Sequence, residues 1–428
     1  MNAVPPAREG VSRASIAVAA FSTVLEWYDF TLYLYFATVL SRVFFGAGEA
    51  SLSATLASFA IAYLMRPLGG AVFGHIGDRF GRRRTMLLSV ALMTLTMLGT
   101  ALLPTHAQAG AAAGALLFLL RCLMGFSVGG EYIAIVAYLI EGAPRNRRGL
   151  ITSLASAFSE VGGLLAVGVS LVTVNSMSSA SLDSWGWRIP FLAGAVLAAS
   201  VWIARTTMEE SPDFERQQAS GTAPEHPLIY ALMNHRAGVL RAFAISALGS
   251  ITYYVGITYV PTFLISVGKL NESQSLRLST VAALAVILVT PFAGALSDRL
   301  GRKPVLILLA LCSAILPITL FRLMAGGSPS YALFAAVVLA CVAGAVSAVG
   351  AIATAEQFPG EGRISGLALG ATTATAIFGG ATPYVAQTLT ERTGWIMAPG
   401  AMIAVVAVLV LPILATLPET APRSEPPT

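Results

Sequence analysis

An all-α membrane fold with twelve transmembrane helices, in two six-helix bundles with both termini in the cytoplasm, is predicted by three observations. First, 56% of the 428 residues are hydrophobic and only 11% are charged, against about 25% charged in soluble domains. Second, the apolar residues fall into twelve runs, each near the roughly 20 residues that a helix needs to cross a bilayer core. Third, a ten-residue sentence is written twice, 220 positions apart: Gly74-His-Ile-Gly-Asp78-Arg79-Phe-Gly-Arg82-Arg83 and Gly294-Ala-Leu-Ser-Asp298-Arg299-Leu-Gly-Arg302-Lys303. Both read G-x-x-x-D-R-x-G-R-[RK].

The runs lie at 15–40, 53–76, 85–103, 111–140, 150–174, 187–207, 238–265, 279–297, 304–323, 331–355, 363–388 and 396–417. They are too long and too evenly apolar for the alternating strands of a barrel, so they are read as helices. Eighteen of the 26 Lys and Arg residues fall in segments on one side, six on the other, and Arg66 and Arg121 within spans. This bias places the arginine-rich side, and with it both termini, in the cytoplasm. The organisation is then a tail (1–14), a first bundle (15–207), a polar linker (208–237), a second bundle (238–417) and a tail (418–428). Glu141-x-x-Pro and Arg148 after span 4 recur as Glu356-x-x-Pro and Arg363 after span 10, and Glu210-Ser-Pro is echoed by Glu419-Thr-Ala-Pro.

The composition excludes other classes. The net charge of +5 is spread over short turns, without the basic stripe and interleaved aromatics of a nucleic-acid surface. Cys122, Cys312 and Cys341 sit in apolar runs and suggest neither disulfide nor metal site. The four histidines are read as loop or linker residues, so no metal or catalytic cluster is expected at membrane depth, and the chain is not read as an enzyme. No cleaved signal peptide is read at the N-terminus. A 6 + 6 parallel repeat is a carrier architecture, with its site at the interface of the repeats.

Ionisable side chains within spans are functional candidates. Here they are Glu26 and Asp29 (span 1), Arg66 (span 2), Arg121 and Glu131 (span 4) and Glu160 (span 5), all in the first half. The second half offers neutral hydrogen-bonding groups: Tyr253, Tyr254, Thr258 and Tyr259 in span 7, and Thr372 among the threonines of span 11. Glu26 and Asp29 share a helix face, where two acids repel unless one is protonated or a cation intervenes, and Arg66 is the expected cation. Proton coupling is therefore expected of Glu26, Asp29, Arg66 and Glu131. The alternative for each is a fixed ion pair. Arg121 is expected either to hold a substrate carboxylate bidentately or to pair with an acid of its own half. With Glu160, Tyr253, Tyr254, Tyr259 and Thr372 it forms the expected substrate-binding set.

The doubled loop resembles the hallmark of the major facilitator superfamily. Glu26-Trp-Tyr-Asp29-Phe, Arg66-Pro-Leu-Gly-Gly, Gly125-Phe-Ser-Val-Gly-Gly-Glu131-Tyr132 and Trp185-Gly-Trp-Arg188-Ile-Pro-Phe, in that order, resemble the metabolite:proton symporter family within it. That family carries citrate, tricarballylate, α-ketoglutarate, shikimate and proline or betaine. The resemblance implies a proton-driven symporter without cofactor, working as a monomer in a bacterial inner membrane on a small molecule, an organic acid first and a zwitterionic osmolyte or amino acid as the alternative. It implies gating roles for Gly74, Asp78, Arg79, Arg82 and Glu141, and in the repeat for Asp298, Arg299, Arg302 and Glu356, with the first loop latched against span 11. Glu160 departs from what the resemblance leads one to expect in span 5, where carboxylate carriers place an uncharged residue.

Overall fold

A computed structural model describes residues 11–46, 55, 58 and 61–421. These residues are helical nearly throughout. Span 1 is α1 (Arg13–Phe21), α2 (Thr23–Tyr35) and α3 (Ala37–Phe45); span 2 is seen as α4 (Met65–Phe80). Spans 3 to 6 are α5 (Arg82–Leu102), α6 (Ala111–Gly142), α7 (Arg148–Asn175) and α8 (Arg188–Thr206). After α9 (Pro212–Ser220) and α10 (Pro227–Asn234), span 7 is α11 (Arg236–Tyr253), a π-turn (Tyr254–Thr258) and α12 (Val260–Ser266). Spans 8 to 10 are α13 (Glu272–Leu300), α14 (Arg302–Ala325) and α15 (Pro329–Ala355). Span 11 is α16 (Arg363–Leu367), a π-turn (Ala368–Thr372), α17 (Thr373–Phe378) and α18 (Thr382–Thr393), and span 12 is α19 (Ala398–Ala415).

Among the described residues, ten helical stretches are long and apolar enough to cross a membrane. The two of the twelve that fall short have separate reasons. Part of span 2 lies outside the described residues. Span 1 is not one rod: at its first break the Ser22 hydroxyl donates to Val18 O (2.5 Å) and the Thr23 hydroxyl to Ala20 O (2.9 Å) and Ala155 O (2.8 Å). Hydroxyls that bond backbone carbonyls compete with the helix ladder and bend it. The polar stretch read as a plain linker holds two short helices, both begun by a proline at their first position, where its missing N–H is harmless.

The two loop motifs fold alike. Gly81 (φ 110°) and Gly301 (φ 106°) take backbone angles that L side chains avoid. A Cβ on either would also meet a carboxylate, Glu210 at 2.3 Å and Glu419 at 2.5 Å. The first half packs on its own apolar cluster around Leu25, Met93, Trp187 and Phe191, and the second half on clusters around Phe263 and Phe321 and around Leu306 and Val349. Two further clusters cross between the halves. One, at the end of the molecule that carries the loop motifs (the motif end), joins Ile135, Tyr138 and Ile140 to Phe358, Ile364 and Leu367. The other joins Phe30 and Tyr63 to Tyr254. A cavity of about 170 Å³ lies between the halves.

Candidate functional site

At the motif end the aspartate of each repeated loop reaches across to the other half. Asp78 accepts from the backbone N–H of Ile364 (3.2 Å) and Ser365 (2.8 Å), in the first turn of α16. Asp298 accepts from Gly149 (2.8 Å) and Leu150 (2.9 Å), in the first turn of α7. A carboxylate at a helix N-terminus satisfies orphan N–H groups and meets the positive end of the helix dipole. Close approach is possible because the facing residues lack side chains: a Cβ on Gly149 would lie 2.5 Å from Gly294 O, and one on Gly74 would be 3.2 Å from the Ser365 Cα.

Arginines complete both latches. Arg82, fully buried, donates to both oxygens of Glu141 (3.0 Å each, from Nε and Nη2), to Gly77 O (2.8 Å) and across the halves to Gly360 O (2.7 Å). Arg302 pairs with Asp298 (2.7 Å) and Glu356 (3.3 Å). Arg363 binds Glu141 (2.7 Å) and Asp213 of α9 (3.2 Å), so the segment between the halves takes part in the first latch. Sequence reasoning counted Arg205 only among the topology charges, and Arg363 among those and as the repeat of Arg148; both are buried. Arg79 and Arg299 are not drawn into these latches. Both are exposed, and Arg79 reaches the Glu225 carbonyl (3.4 Å), not Glu141.

Outside the bilayer spans, Glu210 receives the backbone N–H of Arg82 (3.0 Å) and Arg83 (3.1 Å), and Glu419 that of Arg302 (2.8 Å) and Lys303 (3.2 Å). Burial holds the Glu210 carboxyl above its usual range despite those bonds. At Glu419 burial acts the same way, but the N–H groups of Ala421, Arg302 and Lys303 outweigh it and hold the carboxyl below that range.

The intramembrane charges divide differently from expectation. Arg66 pairs with Glu26 (3.0 Å), and its guanidinium lies over the Tyr63 ring (4.2 Å to the centroid). Asp29 is held instead by Arg121, through both carboxylate oxygens (3.0 and 2.8 Å). Each acid thus has its own arginine, which removes the repulsion. Arg121 is therefore not on the wall of the central cavity; with Asp29 it flanks a small adjoining crevice. Glu131 is also away from the cavity, fully buried against Arg205 and Ser89, while Arg205 also holds Ser22 (3.0 Å) at the span 1 break. Tyr259, expected in the substrate-binding set, is buried in the second half, donates to Gln387 (2.7 Å) and does not line the cavity. His75, read as a loop residue, is within α4.

What the cavity does present is Glu26 and Arg66, Glu160, Trp27, Tyr132, Tyr253, Tyr254 and Thr372, with serines and threonines from both halves. Span 7 reaches it with α11 and the first residue of its π-turn, and span 11 with its π-turn and the residues on either side; such local widenings are frequent at functional sites. The Tyr253 hydroxyl donates to Glu160 (2.5 Å) and its ring packs on Trp27 (4.8 Å between centroids). One residue on, the Tyr254 and Tyr63 hydroxyls are hydrogen-bonded.

Residues 15–222 match the family model of sugar (and other) transporters, and residues 270–428 that of the Major Facilitator Superfamily. The alpha-ketoglutarate permease of Escherichia coli is 34% identical over 88% of this chain and 87% of its own length. The chain belongs to the major facilitator superfamily. Within it, the ectoine/proline transporter ProP of Corynebacterium glutamicum is 32% identical over 99% of this chain and 89% of its own. The citrate-proton symporter of Klebsiella pneumoniae is 33% identical over 88% and 85%. The solved structure of the proton:xylose symporter XylE bound to 6-bromo-6-deoxy-D-glucose shares the fold, with a TM-score of 0.78 at 20% identity over 95% of this chain and 96% of that one. The chain is a multi-pass membrane transporter of this superfamily, as its four motifs and doubled loop led one to expect.

Proposed function

We propose that this transporter is a proton-coupled symporter that takes up a small organic acid by alternating access, with one carboxylate of the cargo bound by Arg66. The observation that carries the reading is the Glu26–Arg66 pair on the cavity wall (3.0 Å). A substrate carboxylate competes with Glu26 for the guanidinium. Protonation of Glu26 releases Arg66 to the cargo, so that one proton and one anion are taken up together. Proton coupling is supported by the relative named as a citrate-proton symporter.

Charge sets the size of the anion. Arg121 is committed to Asp29, so among the described cavity residues Arg66 is the guanidinium that a cargo meets. A tricarboxylate would leave two charges facing hydroxyls and the two acids of the wall. A cargo with one or two carboxylates fits better, and the alpha-ketoglutarate permease supports that class. A second reading, a zwitterion, is favoured by Glu160 beside Trp27 and Tyr253, which suits a cationic group, and by the ectoine/proline relative.

The remaining roles follow. The motif end faces the cytoplasm, with both termini, in accord with the arginine bias. Asp78, Arg82, Glu141, Asp298, Arg302 and Glu356, with Gly74 as the close-approach site, latch that end shut while the cavity accepts cargo from the other. Asp29 and Glu131, each locked to an arginine of the same half, act as fixed pairs that hold the helices of the first bundle (15–207) together as it moves against the second (238–417). A single copy suffices, since the cavity lies within one chain. The test is uptake of radiolabelled α-ketoglutarate, citrate, proline and betaine into proteoliposomes under an imposed pH gradient. Proton-dependent accumulation of a carboxylate is expected; if none of the four moves with protons, the symport reading is wrong.

A further inference from the structure

We infer that Glu160 carries a second transported proton, taken up because the closing halves bury its carboxyl, and that the Tyr253 phenol, a donor to the anion, sets the pH at which this happens. The inference rests on the symport reading above and goes beyond the Glu26–Arg66 exchange. Glu160 sits midway along α7, in the first half, and is 7% exposed on the cavity wall. Its hydrogen-bond partner is the Tyr253 hydroxyl, which belongs to span 7 of the second half (2.5 Å). No salt bridge to Glu160 occurs among the described residues, whereas Glu26, Asp29, Glu131 and Glu141 each have an arginine. Among the described acids of the membrane interior, Glu160 is the one without a cation.

The surroundings offer no substitute. From α2 the charged group facing the cavity is Glu26, an acid, and Asp29 of the same helix is turned to Arg121. From α4 it is Arg66, engaged by Glu26. α6 contributes Tyr132 to the wall, while its Glu131 is turned to Arg205. α11 and the π-turn after it bring Tyr253 and Tyr254, and at this level α13 and α15 offer neutral Thr290, Ser347 and Thr354. A phenol hydrogen bond strengthens when the acceptor is charged, but a single one does not compensate for closing a full negative charge into an interface.

Two states of the group therefore belong to two states of the carrier. With the cavity open to water, Glu160 is an anion that solvent supports. As the halves close, it takes up a proton from the water on the side then open, and Tyr253 keeps its own. When the cavity opens on the opposite side, the halves separate, the carboxyl leaves the phenol and the proton passes to the water there. A neutral Glu160 also spares an anionic cargo the repulsion of a second acid.

The experiment measures protons and cargo together in proteoliposomes loaded with a pH-sensitive dye, using whichever of radiolabelled α-ketoglutarate, citrate, proline or betaine the wild type takes up. For Glu160→Gln the expected result is a proton-to-cargo ratio lowered by one, read on the cargo movement the variant retains. An unchanged ratio overturns the inference, as does loss of cargo binding with the ratio intact, which would make Glu160 a ligand of the cargo. Tyr253→Phe keeps the acid and removes the donor that favours its anion, so the midpoint of the transport pH profile should rise by roughly one unit; an unmoved midpoint also overturns it. Should the wild type move cargo without protons, the symport reading fails first, a result distinguishable from a coupled wild type with an equally coupled variant.

Discussion

The Asp78 carboxylate and the Ser365 backbone N–H, 287 positions apart in the chain, are hydrogen-bonded at 2.8 Å at the start of span 11. The second half repeats the relationship towards the first, with Asp298 on Gly149. An aspartate that caps a helix of the other half ties the stability of that helix end to the closed state, since the N–H groups lose their acceptor when the halves part. The latch is thus a pair of reciprocal helix caps reinforced by arginines.

Asp78→Asn and Asp298→Asn should each weaken the closed motif end. A charged cap near a helix N-terminus is worth about 1 kcal/mol, which corresponds to a shift of roughly five-fold in the open-to-closed ratio. The reactivity of a cysteine introduced on the cavity wall, labelled from the motif side, should rise accordingly. Equal labelling of wild type and both variants would show that the caps do not hold the latch.

Gly149→Leu should act on the same equilibrium through sterics. Its Cβ would lie 2.5 Å from Gly294 O and 2.8 Å from the Asp298 carboxylate, so spans 5 and 8 could not meet. The variant should accumulate open at the motif end and lose net transport while remaining folded in detergent.

Removing one member of a buried pair strands the other charge, at about 3–5 kcal/mol. Arg121→Leu and Asp29→Leu should each lower the melting temperature markedly, and the double variant should recover most of the loss. If Asp29→Leu alone is as stable as the wild type, the pair is not the fixed element proposed above.

At Glu419 the sign of the pH effect is defined. Its carboxyl is held below the usual value of 4.5 in the folded protein, so its cap on span 9 stabilises above that pH and is lost as pH falls through the folded value. The wild type should therefore be more stable than Glu419→Gln at neutral pH, with the two melting curves converging under acidic conditions. Curves that stay equally separated at low pH would count against the cap.

Much of the fold was legible from residues alone. Long apolar runs have one solution in lipid, and the repeated G-x-x-x-D-R-x-G-R-[RK] requires a repeated turn, which Gly81 and Gly301 make with nearly equal angles. Glycine spacing and loop charges likewise pointed to Asp78, Arg82 and Glu141 as neighbours. Pairing inside the membrane was less legible. Sequence placed Arg66 and Arg121 near the right depth, but which acid each takes depends on helix rotation, and the break at Ser22 alters the rotation of span 1. Arg205 counted only as a charge of the arginine-rich side, because nothing local distinguishes a helix-end arginine in water from one turned back onto Glu131.

By itself, the sequence determined that this protein spans a membrane with duplicated halves and that the ionisable groups of the interior lie in the first half, because hydropathy, charge bias and repetition are properties of the chain order. The tertiary structure alone decided which of those charges are neutralised and which face the cavity. Asp29, Glu131 and Glu141 were given arginines by helices distant in sequence. Glu160 met a phenol from the other half. A charge in lipid is tolerable or consequential according to its nearest partner, and partners are set by packing.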